Sequence, residues 1–312
     1  MVPQDLSARP LPARHYGRAA ATVVVVVLLV AIVHSVATNP NFQWDVVWKY
    51  FTAEVIINGL LSTILLTAAV MGIAAVLGII LATMRTSSAV VLNSTSALYV
   101  WFFRATPALV QVLFWFNLAS LYPRLSLGIP FGPELFSVSA NDVISPWTAA
   151  VLGLGLCEAA YMAEIVRAGI LSIDAGQSDA ARALGMRPTL MFRRIVLPQA
   201  LRVIIPPTGN ETIGMLKYTS IASVISVQEL LGSAEIIYSR TFEIIPLLIT
   251  ASIWYLICTT VLSIGQYFIE QHFGRGNNRS PGAGVRSKVT AIRGLLGARA
   301  AADVARVPEA RP

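Results

Sequence analysis

Apolar residues in this chain gather in long runs with few charges, separated by short polar connections. Six runs reach the roughly 20 residues a helix needs to cross a hydrocarbon layer. They are Ala19 to Ala37, Val55 to Met84, Ala97 to Leu121, Trp147 to Val166, Val203 to Val224 and Ile244 to Ile269. Because a helix satisfies its backbone groups internally, the pattern predicts an all-α membrane protein with about six transmembrane helices. The second run is longer than one upright crossing and is expected to tilt or to extend past the hydrocarbon. Its Ala74, Gly78 and Ala82 recur every four residues, which puts small side chains on one face and lets a neighbouring helix approach closely.

Two runs carry interruptions. Pro107 breaks the third, and Arg104 just before it is costly at mid-bilayer, so Val91 to Phe103 is expected along the inner surface with the crossing starting near Pro107. The fifth holds Pro206-Pro207 followed by Asn210, Glu211, Gly214 and Lys217, which predicts a kinked or partly unwound helix. The outer loops are short, the longest running from about Tyr122 to Pro146, and none is expected to bury its own core.

Composition agrees with the membrane class: 55% of the 312 residues are apolar and 12% charged. The net charge of +7 reads as orientation rather than nucleic-acid binding. With the N-terminus inside, the inner segments hold Arg9, Arg14, Arg18, Arg85, the arginines between 167 and 202, and the Lys and Arg after Gly274. The outer loops hold Lys49, Arg124 and Arg240. Both termini are therefore expected inside a cytoplasmic membrane. The first run also has the form of a secretory signal ending at Ser35-Val36-Ala37, and either reading delivers Thr38 to the outside. Cys157 and Cys258 lie inside apolar runs and His15, His34 and His272 are far apart, so no disulfide, metal site or cofactor is expected. The expected organisation is a basic tail over 1–18, an anchor helix and outer loop over 19–54, a transmembrane domain over 55–273 with an inner loop at 170–202, and a basic, disordered tail over 274–312.

That inner loop is far longer than a helix-to-helix connection requires. Gln177 to Leu184 reads as a short helix stopped by Gly185 in the left-handed conformation. Pro188 opens a second helix, and Leu197-Pro198 is expected to turn the chain back toward the membrane. An interfacial elbow whose basic residues face headgroups explains these features as well as a docking knob does. The spacing Asp179-Ala180-Ala181, Gly185, then Ile195-x-Leu197-Pro198 resembles the EAA loop of permease subunits of bacterial ATP-binding cassette importers. That family usually has Glu where Asp179 stands. The stretches "NGLLSTILLT" at 58–67, "FFRATPALVQVLFWF" at 102–116, "AAYMAEIVRAGILSIDAGQ" at 159–177 and "MLKYTSIASVIS" at 215–226 are similar, in that order, to the polar amino acid permease branch.

The resemblance implies a five-helix importer core plus the N-terminal anchor. It also implies that Asp179, Ala180, Ala181, Gly185, Arg193, Leu197 and Pro198 couple to a cytoplasmic ATPase. Further implied partners are a homologous or identical permease subunit, an extracytoplasmic solute-binding protein and an amino acid as cargo. The chain has no G-x-x-x-x-G-K-[ST] and no Gly-Lys pair, so no P-loop of its own and no enzymatic role is expected.

Ionisable residues inside spans are costly and hence functional candidates. Glu158, Tyr161 and Glu164 share roughly one helix face at three-residue spacing. Asn210, Glu211 and Lys217 follow the paired prolines. These six are the candidate substrate pathway, with Gln111 and Arg104 weaker. Glu164 with Arg167 also fits a structural ion pair, and Glu211 with Lys217 also fits neutralisation across a subunit interface. An ion-driven secondary transporter using Glu158 or Glu211 as proton carrier is the alternative function, although no inverted repeat is visible. A membrane enzyme lacks any nucleophile, acid pair or metal cluster.

Overall fold

The computed structural model describes residues 16–128 and 134–274. The expected basic tails over 1–18 and 274–312 lie outside this range, except that residues 16–18 and 274 belong to the first and last helices. Helices α1 (Tyr16–Thr38), α2 (Trp44–Phe51), α3 (Glu54–Arg85), α4 (Val90–Ala105) and α5 (Ala108–Phe116) come first. A hairpin of β1 (Arg124–Gly128) and β2 (Glu134–Ser139) follows. Then come α6 (Pro146–Leu171), α7 (Ala175–Ala183), α8 (Pro188–Met191), α9 (Leu197–Tyr218), α10 (Leu230–Thr241) and α11 (Ile244–Gly274). Among the described residues, four helices are long and apolar enough to cross a membrane, or up to six if two bent pairs each count as one span.

The described chain divides into two compact units. One comprises Met1–Ser62 and Gln228–Trp254, the other Thr63–Val227 and Tyr255–Pro312. In the first, α1 is exposed on all sides from residue 20 to residue 35. The Trp44 indole N–H donates to the Val36 carbonyl at 2.9 Å and fastens α2 to the end of α1. Helix α2 carries Trp44, Trp48, Tyr50 and Phe51; Phe51 stacks on Trp254 at 4.7 Å, and the Trp254 indole N–H donates to the Phe51 carbonyl.

The second unit is built around α6, most of which is buried. Leu66 and Val70 of α3, Val112 of α5, and Ala149, Ala150 and Leu154 of α6 form one core with Met215 of α9 and Ala222, Ile225 and Val227 beyond it. Small residues set the spacing. A methyl group on Gly78 would fall 2.6 Å from Met162 Cβ, and one on Gly153 would fall 2.7 Å from Val112 Cα and 2.9 Å from its backbone nitrogen. Ala74 and Ala82 are fully buried, as the four-residue spacing implied. The Gly153 contact is with backbone, which cannot rotate aside, so Gly153→Ala must push α5 from α6. That overpacking is expected to cost about 1–3 kcal/mol, read as a lower thermal midpoint in detergent. Gly72→Ala, with nothing within 4 Å of the added carbon, is expected to leave it unchanged.

Two expectations about prolines are corrected. Leu197-Pro198 does not turn the chain: a π-turn over Phe192–Val196 carries α8 directly into α9. The Leu197 N–H donates back five residues to Phe192, so the widened turn ends just before Pro198, a residue with no N–H to contribute. Of the two forms expected of the fifth run, kinked or partly unwound, the unwound one is not found directly after Pro206-Pro207. Helix α9 continues to Tyr218, and the α-geometry gives way only at the 3-10 stretch Thr219–Ile225. Gln266 of α11 is buried against this segment and donates from Nε2 to the Pro206 carbonyl at 2.7 Å, pinning the helix where the prolines weaken it.

The hairpin was not expected. Its antiparallel register opposes Leu125 to Val138 and Leu127 to Phe136, with Arg124 opposite Ser139 and Ser126 opposite Ser137. Apolar pairs therefore alternate with polar ones.

Candidate substrate cleft and coupling loop

Pro107 determines the local geometry of the site. A residue preceding proline is driven out of helical conformation, and Thr106 is extended with φ −99° and ψ 138°. Helix α4 therefore stops at Ala105, and α5 departs at 100°. The elbow faces α6 and α9, and a cleft of about 400 Å³ opens between them. Arg104, Thr106 and Pro107 line it from the elbow, Leu154, Cys157, Glu158 and Tyr161 from α6, and Glu211, Met215 and Tyr218 from α9.

The Arg104 guanidinium lies over the Tyr161 ring, 5.1 Å from its centroid, a placement that stabilises a cation in a partly dry site. Glu158 is 5% exposed, and its Oε1 is buried with no hydrogen-bond partner among the described residues. A carboxylate oxygen left in this way is costly unless a ligand supplies the donor. The cleft thus presents two carboxyl groups and one guanidinium, an arrangement complementary to a solute with one carboxylate and two cationic groups.

Of the six pathway candidates, Glu158, Tyr161 and Glu211 line this cleft, and so does Arg104. Glu164 lies apart from it, its Oε2 accepting from Arg167 Nη2 at 2.7 Å and Nε at 3.1 Å in a fork. Asn210 and Lys217 are exposed on α9 and do not line the cleft. Thr106, Cys157, Met215 and Tyr218 were not singled out from the sequence. Met215 and Tyr218 sit four and seven residues after Glu211, so helical spacing alone would have found them.

The candidate coupling loop is a compact protrusion. Asp174 caps α7, its Oδ1 accepting from the Gly176 N–H at 2.7 Å. At the far end Gly185 has φ +72°. The Met186 N–H donates to Ala181 and the Gly185 N–H to Arg182, the paired bonds of a Schellman stop. Ala181 is buried, whereas Asp179, Ala180, Arg193 and Pro198 are exposed and Leu197 is half-buried. Asp179 pairs with Arg182 at 3.4 Å, a solvated contact of little energetic weight. Leu184, an apolar side chain at the tip, is 81% exposed.

Residues 74–275 match the family described as the binding-protein-dependent transport system inner membrane component. The chain belongs to this family. It is a permease subunit of an ATP-binding cassette importer, with ATP hydrolysis on a partner chain, and the ion-driven alternative finds no support in these matches. This permease is 45% identical to the arginine transport system permease protein ArgU of Corynebacterium glutamicum over 280 residues, covering 89% of this chain and 86% of that one. It is 35% identical to the probable amino-acid permease protein YxeN of Bacillus subtilis, over 74% of this chain and 96% of that one. Among solved structures, an amino acid ABC transporter crystallised with histidines superposes with a TM-score of 0.59 at 34% identity, covering 70% of this chain and 94% of that one.

Proposed function

We propose that this permease moves a cationic amino acid inward through the cleft between the α4–α5 elbow, α6 and α9. The observation that carries the reading is the charge set of the cleft: Glu158 and Glu211 against Arg104. An amino acid with a basic side chain has one carboxylate for the arginine and two cations for the two carboxyl groups, so each charge meets its opposite on leaving water. The relative that transports arginine supports the same cargo class.

The region 55–273 acts as the transmembrane domain, with 19–54 as an added anchor and outer loop and 274–312 as an inner tail. Asp179, Ala180, Ala181, Gly185, Arg193, Leu197 and Pro198 form the coupling surface for a cytoplasmic ATPase, with the exposed Leu184 as its apolar tip. Both termini and this loop face the cytoplasm, following the excess of arginine on that side. The hairpin faces outward, where an extracytoplasmic binding protein delivers cargo. A second permease, identical or related, covers the exposed polar residues Asn210 and Lys217 of α9.

Direct binding to the purified permease–ATPase complex, with no binding protein present, tests the cargo class at the cleft itself. Labelled arginine is expected to bind and to be displaced by lysine but not by glutamate. Equal displacement by glutamate would refute the charge argument.

A further inference from the structure

We infer that Gln111 is a positioning residue for cargo recognition: its side-chain amide holds the α4–α5 elbow so that Arg104 stays over Tyr161, beside Glu158. This rests on the reading of the cleft as the cargo site.

The need arises at Pro107. In a continuing helix the Phe103 carbonyl would accept from residue 107, but proline has no N–H to give. Gln111, one turn into α5 and 6% exposed, supplies the donor from the other side of the bend. Its Nε2 lies 3.0 Å from the Phe103 carbonyl, 3.1 Å from the Thr106 carbonyl and 2.7 Å from Thr106 Oγ1. Arg104 lies in the short segment between these anchor points. The Cys157 thiol of α6 donates to the same Phe103 carbonyl at 3.6 Å, and the Tyr99 hydroxyl donates to Leu156 of α6 at 2.9 Å. The elbow is thus tied at once to α5 and to the stretch of α6 that carries Glu158.

A packing role does not account for this side chain. Gln111 Oε1 is buried with no partner among the described residues, a penalty that an apolar residue of the same shape would avoid. The amide's contribution lies in its donor half, and the donors are spent on the elbow.

The test uses the purified permease–ATPase complex in a Cys258→Ser background, where Cys157 is the remaining cysteine of the permease chain and its labelling is read on that chain alone. Gln111→Met keeps the shape and removes the donors, and Gln111→Asn keeps the amide one methylene short. Both are expected to speed Cys157 modification by a small charged thiosulfonate severalfold, because the elbow, no longer tied to α5, loosens and uncovers the thiol. Arginine binding is expected to weaken severalfold in Gln111→Met and in Arg104→Gln, with the double variant no worse than the weaker-binding single one. That non-additivity is the signature of one residue acting through another. Unchanged Cys157 modification would overturn the elbow latch. Losses that multiply in the double variant would overturn the route through Arg104. Undiminished binding in Arg104→Gln would overturn the cleft reading itself, a result separable from the first because the thiol assay does not involve cargo. If neither Gln111 variant accumulates in the membrane, the amide is a folding requirement and the positioning role is overturned.

Discussion

Replacing Gly185 with valine is expected to reduce arginine uptake at least about tenfold and to lower the amount of ATPase recovered with the tagged permease, while the chain still reaches the membrane. The argument is conformational. A side chain at Gly185 would meet nothing within 4 Å, so crowding is not the cause. The backbone has φ +72°, which costs an L-residue roughly 1–2 kcal/mol and a β-branched one more. Valine escapes that strain by returning to negative φ, and the bonds from Met186 to Ala181 and from Gly185 to Arg182 then break. The angle between α7 and α8 is lost with them, and Leu184 no longer stands at the tip of a fixed protrusion. Gly185→Asn is the matched comparison, since asparagine tolerates the left-handed region and is expected to keep most of the uptake. Wild-type uptake in the valine variant would mean that the geometry of this loop does not transmit the stroke.

The proposed coupling loop is joined to the cleft by one continuous helix. From Pro188 through the π-turn to Tyr218 the helix is uninterrupted, and it carries Glu211 into the cleft. At 1.5 Å per residue, the rise from Pro188 to Glu211 is about 35 Å. A displacement imposed at the loop is therefore delivered at the cleft without an intervening hinge of the kind expected at Leu197-Pro198.

The spans were legible because length and lack of charge are properties of a segment by itself. The break at Pro107 was legible for the same reason: proline's restriction on Thr106 is strictly local. The prolines of α9 misled because the remedy lies elsewhere in sequence, with Gln266 sixty residues beyond Pro206, and with a π-turn that no composition rule announces. The hairpin at 124–139 was hidden in what looked like a loop, although Leu125, Leu127, Phe136 and Val138 alternate with polar residues as a strand pair should. In the cleft, Glu158 and Glu211 declared themselves by the cost of burying a carboxyl group. Arg104 was ranked low because linear position placed it at a membrane edge, whereas packing of α4 on α6 sets its guanidinium over Tyr161. Lys217 was ranked high because a charge inside a span demands a partner, but its place on α9 faces away from the cleft lining.

The two carboxyl groups of the cleft should not be equivalent, and this gives the second large effect. Glu158 is the more deeply buried, with Oε1 lacking any partner among the described residues, whereas Glu211 is half-buried. A permanent cation gains most where a desolvated oxygen waits for it, so Glu158 is assigned to the cargo side chain and Glu211 to the α-ammonium. Glu158→Gln retains shape and removes charge, and losing one member of a desolvated charge pair typically costs about 2–5 kcal/mol. Arginine binding to the purified complex is therefore expected to weaken by about thirtyfold or more, at about 1.4 kcal/mol per tenfold. Citrulline, which has the shape of arginine without its side-chain charge, should bind the wild type poorly and the Glu158→Gln variant about as well as arginine does. In Glu211→Gln both ligands lose affinity together, because both keep the α-ammonium, and the preference for arginine survives. If instead the preference collapses in Glu211→Gln and persists in Glu158→Gln, the two assignments are reversed. If it persists in both, neither carboxyl group reads the side chain.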